Sequence, residues 1–250
     1  MKQQRTSLSI IKLALFFVVV CANAQEQTID LNAKDTTVYA QRYGLRIGAD
    51  LSKLTRSFFD ADYQGFELVG DYRINKKFYL AGELGSEEKT TQEDQYNFTT
   101  SGNYLKVGFD YNAYENWYGM ENMIHAGLRY GFGSFSQTLN SYTIYNSDLY
   151  WGEGDLPGSN PNLLQEYNGL TAHWIELVLG LKAELFNNLY LGASIRLNRL
   201  ITDTEADNFP NLWIPGFNKV TDGSKVGVGY NYSITYFIPL YKKKNKKAAE

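Results

Sequence analysis

The stretch ELVLGLKAELFNNLYLGASIRLNRL, residues 176–200, places apolar side chains at every second position in two runs joined by Asn-Asn. That is the period of an extended strand, whose successive side chains point to opposite faces. The leucines fall on one face, and Glu176, Lys182, Glu184 and Arg196 on the other. Similar runs of about ten residues or more, enough for a tilted strand to cross a bilayer, occur near 42–51, 64–74, 78–87, 101–113, 122–136, 171–185, 189–201 and 225–238. No stretch reads as an amphipathic helix or a membrane-spanning helix. The chain is therefore expected to be nearly all β.

Connection lengths alternate as well. Runs two and three are joined by NKK, four and five by YENWYGMEN, and six and seven by FNN, whereas the other four connections span from about a dozen to more than thirty residues. An even strand count with short turns at one end and long loops at the other predicts an eight-stranded antiparallel up-and-down transmembrane β-barrel. Its termini and short turns would face the periplasm and its four long loops the exterior.

The two faces predict opposite surroundings. One carries Tyr43, Leu45, Ile47, Phe66, Leu105, Phe109, Leu128, Leu179, Ile195, Val228 and Tyr232 among others, with almost no charge and with tyrosines near strand ends. That face suits lipid and its aromatic interfaces. The other carries Arg46, Arg73, Lys106, Arg129, Lys182 and Arg196 against Asp50, Glu67, Asp71, Glu83, Asp110, Glu176 and Glu184. Eight strands enclose room for side chains or one small ligand, and a charge buried there needs a partner. These residues are expected to form a plugged, salt-bridged lumen with no pore. A secreted soluble barrel of the lipocalin kind shares the period with its faces exchanged; the connection pattern and the glycines on the charged face favour lipid.

The first residues, MKQQRTSLSIIKLALFFVVVCANAQ, combine a basic start, an apolar core from Leu13 to Val20, and small residues at Ala22 and Ala24. They predict a secretory signal peptide over 1–24, cleaved after Ala24. Bulky Val20 disfavours the rival reading of Cys21 as a lipid-bearing first residue. Cleavage removes the one cysteine together with Lys2, Arg5 and Lys12, leaving a mature chain without disulfides and with a larger acidic excess. An acidic chain is a poor partner for nucleic acid. The remaining divisions are a periplasmic linker at 25–41, the barrel at 42–240 and a basic tail at 241–250, either solvated or touching anionic lipid or cell-wall polymer.

The segments YGLRIGADLSKLTRSFFD, GFELVGDYRINKKFYLAGELG, YLKVGFDYN, NLYLGASIRL and GVGYNYSITYFIPLY together resemble a small uncharacterised family of outer-membrane β-barrel proteins from Bacteroidota, a domain of unknown function. In layout the chain is similar to the OmpA and OmpX barrels. The resemblance implies the same barrel and no established activity. Lys225, Gly227, Tyr230 and Tyr232 also resemble the last-strand signal read by the barrel-insertion machinery, although here a lysine tail follows it. Outer-membrane lipid and that machinery are the partners this reading implies.

Chemistry is sparsely signalled. His173 and Glu166, with a loop serine, could imitate the rim site of a lipid-modifying hydrolase or acyltransferase, because a His-oriented hydroxyl is the usual activated nucleophile; no motif fixes the serine. His125 is expected on the lumen face. Two distant histidines cannot make a zinc site, and Asp148, Glu153, Asp155, Asp203, Glu205 and Asp207 lack the spacing of a calcium loop. No metal or cofactor is expected. The richest lead is the aromatic content of the loops: Tyr142, Tyr145, Tyr150, Trp151 and Tyr167 in the third, Phe209, Trp213 and Phe217 in the fourth. These could form an extracellular surface for a protein or glycan, or pack the loops over the barrel mouth. The expected function is non-enzymatic: partner binding or envelope stabilisation.

Overall fold

The computed structural model describes residues 41–114, 121–144, 156–158, 160–206, 209–220 and 225–243. Eight long strands build it: β1 (Gln41–Asp50), β2 (Tyr63–Arg73), β3 (Phe78–Gln92), β4 (Tyr96–Asn112), β5 (Met123–Ile144), β7 (Glu166–Phe186), β8 (Leu189–Asp203) and β11 (Val226–Lys243). Three two-residue strands, β6 (Leu156–Pro157), β9 (Trp213–Ile214) and β10 (Asn218–Lys219), decorate one end. Each long strand pairs antiparallel with its neighbours, β4 pairs β5, and β1 pairs β11, so the ladder closes into a ring. All eight expected strands are present. Several extend further than their alternation suggested, because polar threonines and serines continue the ladder beyond the apolar belt.

The predicted sorting of the faces holds. Ile47, Leu68, Leu105, Phe109, Leu128, Leu179, Ile195, Val228 and Tyr232 are exposed on the outside. The charges expected inside are buried, apart from Lys182 and Glu184, which are partly exposed. Closure leaves no free sheet edge around most of the circumference, as a strand structure in hydrocarbon requires.

The turn end is built as the sequence implies. Asn187 and Asn188 alone join β7 to β8, and Asn188 has φ of 66°. Two-residue hairpins need such left-handed residues, which asparagine tolerates better than most.

Three expectations are corrected. Residues 88–100 are not a loop: β3 and β4 continue as a hairpin to residues 93–95. Tyr43 is buried where exposure to lipid was expected. It stacks on Tyr241 with centroids 5.2 Å apart and lies beneath the Arg73 guanidinium, beside a register shift that leaves Leu240 of β11 without a partner on β1; bulges re-aim neighbouring side chains in this way. The third correction matters most, because an amphipathic helix does exist: α1 (Leu51–Phe59).

Asp50 ends β1 and caps α1, its carboxylate accepting from the Ser52 amide at 2.7 Å and hydroxyl at 2.8 Å. This is a conventional N-cap, satisfying helix donors that have no partner within the helix. Leu51, Leu54 and Phe58 share one face at the helical spacing; Ser52, Lys53 and Arg56 share the other. The helix was hidden because it spans little more than two turns and directly continues an alternating run.

β1 consequently pairs with β2 only from Leu45 to Ala49, and its ladder with β11 ends at Asp50–Ser233. Beyond that level β2 and β11 both continue toward the loop end without pairing with each other. The helix packs between them. On the β2 side the Ser57 hydroxyl accepts from the Gly65 amide at 2.9 Å and donates to the Gly65 carbonyl at 3.3 Å. One serine thus stands in for part of the missing strand.

Candidate functional site: a filled lumen and a breach in the wall

Charges interlock across the middle of the lumen. Glu83 of β3 takes Arg196 in a forked pair, one arm at 3.1 Å, and lies 3.6 Å from Lys106 and 3.5 Å from Arg129. Lys106 also reaches Glu176 at 3.2 Å and Glu67 at 3.5 Å. Arg129 pairs with Asp110 at 2.6 Å, and Arg196 reaches Glu176 at 3.2 Å. Toward the turn end Asp71 holds Arg46 at 2.7 Å and Lys182 at 2.6 Å, while Arg42 pairs with Glu184 at 3.2 Å and Arg73 with Glu121 at 3.3 Å. The Arg46 guanidinium also lies over the rings of Tyr79 and Tyr190. These contacts bring together the lumen charges named from sequence, except that Asp50 caps the helix.

Polar residues and the loop end complete the plug. Tyr104 donates to Glu67 at 2.5 Å, Asn231 to Glu67 at 3.3 Å, and the Trp174 indole to Glu176 at 2.7 Å. Above them Tyr104, Phe135, Leu170, Trp174, Leu200, Ile214 and Phe217 form an apolar core inside the ring. Two glycines make this packing feasible. A Cβ on Gly131 would lie 2.2 Å from the Trp174 ring, and Gly216, at φ 80°, lets the chain turn against the Tyr104 ring while its amide donates to Glu87 at 3.2 Å. Among the described residues, two cavities in the lumen are small, about 30 Å³ beside Asp71 and His125 and about 20 Å³ beside Asp50 and Lys106, space for a water or so each.

The described part of the fourth loop, residues 209–220, folds into the mouth. Gln137 donates to the Pro210 carbonyl at 3.0 Å, and Asn211 donates to Asp203 and the Thr204 carbonyl. A second core joins Tyr63, Phe98, Leu139, Phe209 and Trp213, with Tyr142 and Tyr167 packed against it. Phe209, Trp213 and Phe217 are buried, which corrects their reading as a recognition surface. Their apolar area gains more from the mouth of a closed barrel than from water. Tyr145, Tyr150 and Trp151 lie outside the described residues, as do Asp148, Glu153, Asp155 and Asp207, residues 1–24 expected to be a signal peptide, and residues 25–40 and 244–250.

The proposed rim chemistry is not assembled. His173 and Glu166 sit seven positions apart on β7, roughly 23 Å along a strand. The His173 Nδ1 atom is 2.7 Å from the Tyr130 hydroxyl, and its ring packs against Phe132. This is an outward aromatic cluster suited to an interface. Among the described residues no group of three or more metal-binding side chains occurs.

Residues missed from sequence gather at the breach. Lys53 and Arg56 point from α1 toward the interior: Lys53 pairs with buried Glu87, and the Arg56 guanidinium lies 4.1 Å from the Tyr63 ring centroid and 5.2 Å from that of Trp213. Asp60, in the turn after α1, accepts from Lys89 at 3.1 Å, which holds its carboxyl below the ordinary range. Between α1 and β11 lies a cleft of about 370 Å³, walled also by Asn218 and Lys219. The signal was available in the spacing of Leu51, Leu54 and Phe58 after a capping aspartate.

The molecule is thus a closed β-barrel turned inside out, with apolar residues outside and a paired, filled interior. It belongs to the family described as a domain of unknown function, DUF6048, whose model matches residues 6–243. Among solved structures it is similar to Ail, the attachment invasion locus protein of Yersinia pestis: 12% identity, 80% of this chain and 99% of that one covered, TM-score 0.38. It is also similar to CarO2 of Acinetobacter baumannii, with 10% identity, 80% and 100% coverage and a TM-score of 0.35. No curated protein matches the chain in sequence.

Proposed function

We propose that this protein is an outer-membrane β-barrel, exported by its N-terminal segment and inserted by the barrel-assembly machinery, that acts without conducting through its lumen. One observation carries this reading: a single closed ladder places its charges inside and its large apolar side chains outside. Water on the outside would face a continuous belt of leucine, isoleucine and tyrosine far larger than soluble monomers expose, whereas lipid covers it without cost. The short turns then lie in the periplasm, and the helix and long connections lie toward the exterior.

The filled interior argues for an envelope-stabilising or lipid-contacting body over a channel. Extracellular partner or glycan binding would rest on Tyr145, Tyr150 and Trp151. A rim lipid hydrolase finds little support in the separated His173 and Glu166.

Reconstituted into planar bilayers, the refolded protein is expected to give no steady conductance across the lumen. A stable, ion-selective open channel would overturn the filled-lumen reading.

A further inference from the structure

We propose that the breach between α1 and β11 is a lateral binding site for one phosphate-bearing anionic amphiphile of the surrounding membrane. The proposal rests on the membrane reading above and adds a ligand to it.

Charge supports an anion. Lys53, Arg56 and Lys219 line the cleft, and among the described residues no carboxylate does. The internal partners of these cations leave them unevenly neutralised. Lys53 is held by Glu87 beneath the cleft, Arg56 is 3.5 Å from Asp60, and largely exposed Lys219 is 3.8 Å from Glu93. Phosphate suits a guanidinium and an ammonium arranged in this way.

Unsatisfied polar groups independently point to an occupant. Trp213 is 92% buried, lines the cleft, and its indole N–H has no acceptor among the described residues. Leaving a buried donor unpartnered is costly, and an oxygen-rich headgroup offsets that cost. In addition, the β1-facing edge of β11 from Gly227 to Tyr232 has no strand partner. Backbone left unpaired in a membrane is costly, and a phosphate or glycerol oxygen can accept from it.

The position of the cleft makes the ligand an amphiphile. Its flanks face the apolar outside, where Val228 and Tyr230 on β11 are each 69% exposed and Phe58 and Phe59 at the end of α1 are 86% and 87% exposed. A headgroup beside Arg56 would leave its acyl chains against these side chains. A free ion would gain nothing from them.

The test uses full-length mature protein purified in detergent and shown to keep a heat-dependent gel mobility. Native mass spectrometry then follows the binding of dioleoylphosphatidylglycerol, dioleoylphosphatidylcholine and inorganic phosphate, with wild type and with the doubly substituted Arg56→Gln, Lys219→Gln protein. Expected is one tightly held phosphatidylglycerol, with phosphatidylcholine and phosphate at least tenfold weaker and a loss of at least tenfold in the double variant while its heat-dependent mobility persists. Equal retention of phosphatidylcholine, or unchanged binding in the variant, would overturn the site. Phosphate binding as tight as the lipid would overturn the amphiphile. A variant that loses its heat-dependent mobility is replaced by Lys219→Gln alone, for which a loss of at least threefold is expected and unchanged binding refutes. Failure of the wild-type barrel, with its heat-dependent mobility intact, to retain phosphatidylglycerol rejects this proposal only, whereas a protein soluble without detergent rejects the membrane reading as well.

Discussion

Replacing Glu83 with leucine is expected to destabilise the barrel by about 3–5 kcal/mol, the range for removing one partner of a buried ion pair. Glu83 lies within ion-pair distance of Arg196, Lys106 and Arg129. Leucine fills much of its volume and none of its charge, leaving three cations to share Glu67, Glu176 and Asp110. The same deletion in water would cost about 0–1 kcal/mol, so the magnitude reports the lumen environment. Urea unfolding in detergent, followed by gel mobility, measures it. Glu83→Leu with Arg196→Leu should recover part of the loss, because the two apolar side chains can pack together and the cation that Glu83 held in a forked pair is no longer left without it. A Glu83→Leu cost below about 1 kcal/mol, the scale of an exposed pair, would show these charges hydrated, as in an open channel.

Trp174→Ala should be comparably damaging, at about 3–5 kcal/mol. Trp174 is fully buried, its ring sits over Gly131, it meets Phe217 edge-on with centroids 6.1 Å apart, and its N–H serves Glu176. Alanine opens a void between the loop-end core and the charge network and also strips a donor from a buried carboxylate. Trp174→Phe separates the two effects. It keeps most of the volume and should cost about 1–3 kcal/mol, the value of an unmet buried polar group. Unfolding midpoints of both variants check this. If alanine and phenylalanine cost the same, the hydrogen bond dominates and the packing account of the plug fails.

Much of this architecture was legible because a strand's side-chain period is two. Once Leu177, Leu179 and Leu181 mark one face of β7, Glu176 and Lys182 must share the other, and the ring closure follows from eight such runs with alternating connection lengths. The same parity contains Trp174, two positions before Glu176 and equally inward. Alternation could not reveal how far the ladder runs once both faces become polar, so Thr90, Thr91 and Thr99 read as loop although they are strand. Nor could it foresee the bulge at Leu240 beside which Tyr43 is buried against Tyr241, since one extra residue in a strand leaves no compositional mark.

Loop aromatics posed a different problem. Phe209, Trp213 and Phe217 have a composition suited equally to recognising a partner or filling a barrel mouth. The decision depends on whether unoccupied apolar space lies nearby, a property of the closed ring that their own segment does not encode. The helix α1 stayed hidden for a related reason: its apolar face points outward in the wall, so it mimics the strand it replaces. The cleft beside it depends on the early end of β1, a matter of register between segments distant in sequence.

The central claim, a closed barrel seated in lipid, is tested most directly by isolating the outer-membrane fraction of expressing cells and comparing the protein's gel mobility before and after boiling. The account predicts a membrane-fraction band that migrates differently until heated, because the closed ladder resists detergent at room temperature. Recovery in the soluble fraction with no heat-dependent shift would contradict it and would turn the apolar face inward.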